Sequence, residues 1–146
     1  MTTAHVTEIT GKYSELIAKA ALMAAGWTIH ESVTDEAYDV LATDPVNGRA
    51  TKVQIKTIRR RADREKGNRP ELVIYAKKGD GTAYDRAEAD YIVGVWADNG
   101  EIPRVYMLEN ECKTEYWANE QTAAKRWVEL SITFDRTVFT TAADAS

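Results

Sequence analysis

Two short runs of the chain place an acid, an amide and a lysine in apolar surroundings. Asp39 stands in the run Tyr-Asp-Val, and Gln54 and Lys56 stand in the run Val-Gln-Ile-Lys-Thr. Successive side chains of an extended strand point to opposite faces, so Gln54 and Lys56 must share one face. Residues 44–48, Asp-Pro-Val-Asn-Gly, favour a chain reversal and predict a hairpin with Asp39 across from Gln54 and Lys56. Together these side chains offer oxygen ligands to a divalent cation and positive charge to an anion.

Positive charge is concentrated around the second run. Residues 49–69 contain nine basic and two acidic residues, a charge of +7, so the remainder carries -11 of the net -4. The net charge alone argues against a general nucleic-acid binder, because phosphate contacts require clustered Lys and Arg. Its distribution favours a chain that directs a polyanion to one surface, although a solvated, charge-rich loop is the simpler alternative.

The elements that must position these residues follow from periodicity. Apolar residues at helical spacing predict an amphipathic helix over residues 11–25, ended by Gly26. A second helix is predicted over 112–128, and strands are predicted near 27–30, 37–43, 51–59, 72–76, 91–96, 104–108 and 131–134. This order predicts an α/β fold with a central mixed β-sheet flanked by helices.

Length and composition set the class of protein. We expect one domain over residues 1–146, with 140–146 a disordered tail. No apolar run approaches the roughly 18 residues that a membrane helix needs, and the N-terminus lacks a signal-peptide pattern. The single cysteine, Cys112, cannot form an internal disulfide, and two histidines give no Cys/His zinc set. These features predict a cytoplasmic protein without a membrane partner.

Glu15, Asp39, Gln54 and Lys56 occur in a recognisable order. In this respect the chain resembles the PD-(D/E)XK nuclease superfamily, whose restriction-endonuclease-like core has a helix with a glutamate, a strand with a metal-binding Asp and a strand with an acid-x-Lys signature. Gln54 departs from the usual acid. The run around it looks most like the small branch containing certain intron-encoded homing endonucleases, and less like the archaeal Holliday-junction resolvases. The likeness covers about residues 11–108.

The resemblance implies a Mg²⁺-dependent DNA endonuclease, with Mn²⁺ as the expected substitute. Mg²⁺ needs only one or two carboxylates beside its waters and a substrate phosphate. Asp39 is the first choice of ligand, followed by the amide oxygen of Gln54, the backbone carbonyl of Ile55, and Glu15 directly or through water. Lys56 is placed to orient or deprotonate the attacking water or to offset phosphate charge. We favour the electrostatic role, because it keeps the lysine protonated.

DNA contacts and assembly follow from the same resemblance. The predicted DNA-binding residues are Lys52, Arg59, Arg60, Arg61 and Arg64. Consecutive residues of a strand point in different directions, so at most two of the three adjacent arginines should reach one duplex surface. A core this small has little surface for reading a long site, which predicts a homodimer or higher homo-oligomer that makes paired cuts or junction nicks.

Simpler interpretations exist for each residue. Gln54 and Lys56 are also typical of the wet face of an edge strand. Glu15 is four residues before Lys19 and could form an ordinary ion pair on the helix surface. A non-cleaving DNA-binding or interaction protein that kept the fold, with Gln54 in place of the acid, is the main alternative function, and a chance match in a small α/β domain is another.

Overall fold

A computed structural model of the chain describes residues 3–61, 71–98 and 100–137. Its elements in chain order are α1 (Thr3–Ala24), β1 (Thr28–His30), β2 (Val40–Thr43), β3 (Ala50–Arg61), β4 (Glu71–Tyr75), β5 (Tyr91–Trp96), β6 (Arg104–Glu109), β7 (Glu115–Asn119), α2 (Ala123–Arg126) and β8 (Val128–Leu130). The strands form one mixed sheet, and the predicted fold class, α/β with a central mixed sheet and flanking helices, is confirmed.

The long strand β3 organises the sheet. Six strands run in the order β1-β2-β3-β5-β6-β8, with β3 and β5 parallel and the other neighbours antiparallel. Residues 58–61 of β3 continue past this sheet and pair with β4, which pairs in turn with β7. Within β3, β2 pairs with residues 50–53 and β5 with residues 53–57, so β3 is not an edge strand of the sheet, although Gln54 and Lys56 themselves are paired on one side, with β5.

The predicted hairpin is confirmed. Strands β2 and β3 are antiparallel neighbours, with Val40 opposite Val53. The Asp44 carboxylate accepts a hydrogen bond from the Val46 N–H at 2.8 Å, and Gly48 takes the left-handed φ of 72° that the reversal requires. Strand β2 begins three residues later than predicted, so Asp39 lies just before the strand instead of within it.

Helix α1 begins eight residues earlier than the sequence predicted and ends where it was expected to end. Neither Pro nor Gly occurs in residues 3–10 to stop the helix. At its end, the N–H of Gly26 bonds to the carbonyl of Met23, and the N–H of Trp27 bonds to that of Leu22. With Gly26 at φ 94°, this is a Schellman cap, which fixes the direction of the chain into β1.

Two apolar clusters cover the two surfaces of the sheet. On one surface Ala18, Ala21 and Leu22 of α1 pack against buried residues such as Val53 and Val93. The other surface is covered by the extension of β3, together with β4, β7 and α2, in a cluster of buried residues: Ile58, Leu72, Ile74, Ala76, Tyr84, Ala89, Ile92, Trp96, Tyr106, Tyr116, Ala118, Ala123 and Trp127. Ile58 is the residue of β3 that belongs to this second cluster.

The predicted helix over residues 112–128 is wrong. The segment contains β7, the single turn α2 and the first residue of β8. In β7, Tyr116 and Ala118 are buried while Trp117 is exposed, which is the period of two expected for a strand. The strand predicted at 131–134 is also wrong, because β8 occupies 128–130 and pairs with β6.

Two remaining expectations concern the ends of the chain and membranes. The predicted tail, residues 140–146, and the polar loop before β4 lie outside the described residues. Within the described ranges, no helix has the length and apolar character needed to cross a bilayer. Cys112, the single cysteine of the chain, is exposed.

Candidate functional site

All four residues of the predicted site line one pocket. The pocket has a volume of about 320 Å³ and lies between the first half of α1 and the middle of β3. Its lining comprises Thr7, Thr10, Gly11, Ser14, Glu15, Asp39, Gln54, Ile55, Lys56, Thr57, Arg59 and Tyr75. The structure thus brings together residues of α1, of β3 and of the segment just before β2, which are up to 41 positions apart in the sequence.

Asp39 is held by hydrogen bonds to β3 at the open end of the β2–β3 hairpin. Its N–H donates to the carbonyl of Val53 at 3.0 Å, and its Oδ2 accepts from the N–H of Ile55 at 2.8 Å. Burial raises the pKa of the Asp39 carboxyl above its ordinary value, and the negative charge of Glu15 contributes to the rise. The hydrogen bond from Ile55 and the positive charge of Lys56 oppose it. The protein alone therefore does not fully offset the cost of burying the Asp39 carboxylate, and a nearby cation would lower that cost.

Gln54 has a polar atom without a partner. Its side chain is buried, and its Oε1 accepts no hydrogen bond from the described residues. A buried carbonyl oxygen without a partner costs about 1–3 kcal/mol, so such atoms are rare in folded proteins. A ligand that supplies positive charge or a hydrogen-bond donor to Oε1 would remove that cost.

Lys56, two residues further along β3, also lines the pocket. Its Nζ lies 3.5 Å from the carbonyl of Lys77, a long hydrogen bond, and 5.1 Å from the centre of the Tyr84 ring, and both of these residues are outside the pocket lining. An ammonium group has three donors, and these two contacts do not saturate them. Lys56 therefore retains hydrogen-bonding capacity for an anion.

Glu15 lies at the site because the preceding residue of α1, Ser14, is hydrogen-bonded to β3. The hydroxyls of Ser14 and Thr57 are hydrogen-bonded at 2.7 Å, and Ser14 is buried. The alternative ion pair between Glu15 and Lys19 does not form, because Lys19 binds Glu31; Glu15 lies instead 3.8 Å from Lys12, one turn earlier on the helix surface. Sequence analysis did not identify Ser14 or Thr57, because hydroxyl residues on a helix and a strand give no local signal of a contact across 43 residues.

The three adjacent arginines have different surroundings. Arg59 is exposed, lines the pocket, and has no hydrogen bond or ion pair with other described residues. Arg60 lies over the ring of Trp96 and forms an ion pair with Asp98 at 3.2 Å. Arg61 forms an ion pair with Glu115 at 3.3 Å. Arg59 is thus the arginine available to a ligand in this pocket.

The other two predicted DNA-binding residues are not part of the pocket. The Nζ of Lys52 donates to the carbonyl of Ala87 at 2.8 Å and lies 5.8 Å from the centre of the Tyr38 ring. Arg64 lies outside the described residues. The backbone carbonyl of Ile55 stays a predicted ligand, while its N–H holds Asp39 as described above.

The donor set fits a hard divalent cation. Among the described residues there is no group of three or more His, Cys, Asp or Glu side chains arranged for a metal. That excludes a zinc-type site there, but Mg²⁺ is bound by as few as one or two carboxylates. Asp39, Glu15 and the unpaired oxygen of Gln54 provide two acids and one neutral oxygen beside a lysine.

A larger cleft, of about 750 Å³, is a separate feature. It is lined by aromatic residues, including Trp117 and Trp127, and contains none of the predicted site residues. Arg126 lies 4.5 Å from the centre of the Trp117 ring, and Trp127 is buried against Tyr106. Trp127 is thus a core residue, and Trp117 is an exposed aromatic covered by an arginine.

Comparison with known proteins gives a fold. No protein-family model matches the chain, and no curated protein matches it. Among solved structures, the chain is similar to a bacterial homing endonuclease, I-Ssp6803I, with a TM-score of 0.55 and 18% sequence identity, over 78% of this chain and 75% of that one. At this identity the similarity establishes a shared fold, and membership of the PD-(D/E)XK superfamily and of its Gln-containing branch stays a prediction.

Proposed function

We propose that this protein is a metal-dependent DNA endonuclease that hydrolyses phosphodiester bonds. One observation carries the proposal: Glu15, Asp39, Gln54 and Lys56 line a single pocket, and the buried side-chain oxygen of Gln54 has no partner among the described residues. A fold shared with a homing endonuclease supports it. A fold alone does not define a function, so the argument depends on the site.

Asp39, the amide oxygen of Gln54 and Glu15 are the residues that hold the cation, which we propose is Mg²⁺, with Mn²⁺ as a substitute. When bound, a divalent cation lowers the pKa of a coordinated water and neutralises charge on the phosphoryl oxygens. The Ile55 N–H keeps one oxygen of Asp39 engaged and thereby orients the carboxylate. Glu15 is held in place by the Ser14–Thr57 hydrogen bond one residue away.

Lys56 and Arg59 bind and orient the scissile phosphate in this proposal. The ammonium of Lys56 donates hydrogen bonds to a phosphate oxygen and offsets the charge that develops there. The guanidinium of Arg59, at the open edge of the pocket, contacts the adjacent backbone. Neither role requires a change of protonation, because both side chains act as cations.

The direct test is cleavage of supercoiled plasmid and of a synthetic four-way junction with Mg²⁺ or Mn²⁺. We expect metal-dependent cleavage by the wild type and a large loss in Asp39→Ala and Lys56→Ala. Asp35→Ala and Lys125→Ala are matched controls, because both residues are exposed and outside the pocket. The preferred substrate separates a duplex endonuclease from a junction-resolving enzyme. Equal cleavage by wild type and Asp39→Ala would refute the proposal.

A DNA-binding protein that does not cut is the second candidate, and Gln54 is the observation that favours it. An amide in place of an acid removes one negative charge from the cation site and weakens attraction for Mg²⁺. DNA binding that is independent of metal, with no cleavage of either substrate and no Mg²⁺-dependent thermal shift, would support this candidate. A thermal shift that is lost in Asp39→Ala would instead indicate a working cation site.

A further inference from the structure

Helix α1 is apolar on two opposite sides. Its inner side is buried against the sheet, as described for Ala18, Ala21 and Leu22. Its outer side is exposed and carries a second apolar row: Val6, Ile9, Tyr13, Leu16, Ala20 and Met23. We refer to these six residues as the α1 seam. Leu16, at its centre, is 67% exposed.

The spacing of the α1 seam is that of a coiled coil. Its residues are separated alternately by three and four positions over three heptads, with Val6, Tyr13 and Ala20 at a and Ile9, Leu16 and Met23 at d. A helix that faces only its own core has one apolar side, whereas a strict a/d row is the narrow contact surface between two helices. The seam contains no charged residue, and it runs nearly the whole of a helix about 33 Å long.

The distribution of exposed apolar residues points to the same surface. Of the eleven large hydrophobic residues exposed in the described part of the chain, five belong to the α1 seam. Most of the others, such as Val33, Val46 and Ile102, lie in loops far apart in the sequence. Single exposed apolar residues are ordinary, but a continuous row of this kind marks an interaction surface.

We propose that the α1 seam binds the α1 seam of a second copy of this chain. A row with heptad spacing is complementary to an identical row, so a second copy supplies the partner that the pattern requires. The two lysines that flank the seam are engaged within their own chain: Lys12 lies 3.8 Å from Glu15, and Lys19 binds Glu31. Neither therefore brings an uncompensated charge to the contact.

This arrangement gives the two pockets a defined relation. The pocket lies beside the first half of α1, on the side turned toward β3 and away from the seam. Two paired seams therefore leave both pockets open, one on each outer flank of the helix pair. The dimer itself does not depend on the proposed nuclease activity, whereas the use of the two pockets on the two strands of one duplex does.

Sedimentation equilibrium without DNA or metal tests the dimer independently of cleavage. We expect the wild type to approach twice the 16.3 kDa of one chain as its concentration rises. Leu16→Glu should stay monomeric over the same range, with an unchanged far-ultraviolet circular dichroism spectrum. Ile102→Glu, which changes a residue 78% exposed outside the seam, should associate like the wild type. A monomeric wild type, or association that survives in folded Leu16→Glu, would overturn the proposal.

Discussion

Gly94→Ala is the substitution for which the structure gives the clearest magnitude. Gly94 is buried in β5, directly opposite Lys56 in the parallel β3–β5 register. A β-carbon at this position would lie 2.7 Å from Cδ1 of Ile74 and 2.8 Å from Cγ1 of Ile58. Both distances are shorter than carbon–carbon contact, so the side chains of Ile74 and Ile58 must move, and where they cannot, β4 or the extension of β3 must shift away from β5.

Overpacking of this kind costs about 1–3 kcal/mol of the free energy of unfolding. For a chain of this size each kcal/mol lowers the melting temperature by about 2–4 °C, so we expect a decrease of about 2–12 °C. Because Ile58 is two residues beyond Lys56 on the same side of β3, the shift should also displace Lys56 and reduce any cleavage activity. Thermal and urea unfolding measure the first effect, and plasmid cleavage measures the second.

Gly11→Ala is the matched control. Gly11 is within α1 and lines the pocket, and a β-carbon there meets nothing within 4 Å. The same chemical change should therefore raise stability by about 0.5–1 kcal/mol, as alanine does in a helix interior. Ile74→Val removes the nearest clashing atom and should partly restore the stability of Gly94→Ala. An unchanged or higher melting temperature for Gly94→Ala, or no coupling with Ile74→Val, would refute the packing argument.

Three further predictions concern the pocket. Because burial raises the pKa of Asp39, the folded protein binds a proton more readily than the unfolded chain, and stability falls as pH rises through the interval between the unfolded and folded pKa values. Asp39→Asn should therefore melt higher than the wild type at pH 7 without metal. We expect differential scanning fluorimetry to show stabilisation by Mg²⁺ in the wild type and none in Asp39→Asn. Gln54→Glu should melt lower than the wild type without metal and show a larger shift with Mg²⁺; an equal or smaller shift would argue against position 54 as a ligand. Arg59→Ala should weaken DNA binding and reduce by about 1 the slope of log affinity against log salt, whereas Arg60→Ala, which removes surface ion pairs, should leave that slope unchanged.

The parts of the site that are local in sequence were predictable. The turn at residues 44–48 fixes the β2–β3 hairpin, and alternation along β3 fixes which side chains share a surface. These two facts are enough to place Asp39 near Gln54 and Lys56, because hairpin register follows from turn geometry. The apolar run at 91–96 was likewise recognisable as a strand buried on both sides.

The parts that depend on distant partners were not predictable. Residues 115–119 contain residues common in helices, yet they form β7 because β4 offers an unpaired edge whose Leu72 and Ile74 need covering. The Ser14–Thr57 contact that brings Glu15 to the pocket joins elements 43 residues apart. Nor did composition indicate that Arg60 and Arg61 would be paired with acidic residues while Arg59 remains available.

The amide at position 54 has a physical rationale in this pocket. Asp39 is already a desolvated carboxylate whose pKa is raised by burial and by the charge of Glu15. A third carboxylate at position 54, which is 7% exposed, would add a buried like charge and destabilise the folded chain whenever no cation is bound. Gln54 keeps an oxygen at the same place without that charge, and its unpaired Oε1 is the smaller cost that remains. Gln54 is thus the residue whose type argues most strongly against catalysis. It is also the residue whose buried, unpaired oxygen would gain most from a ligand.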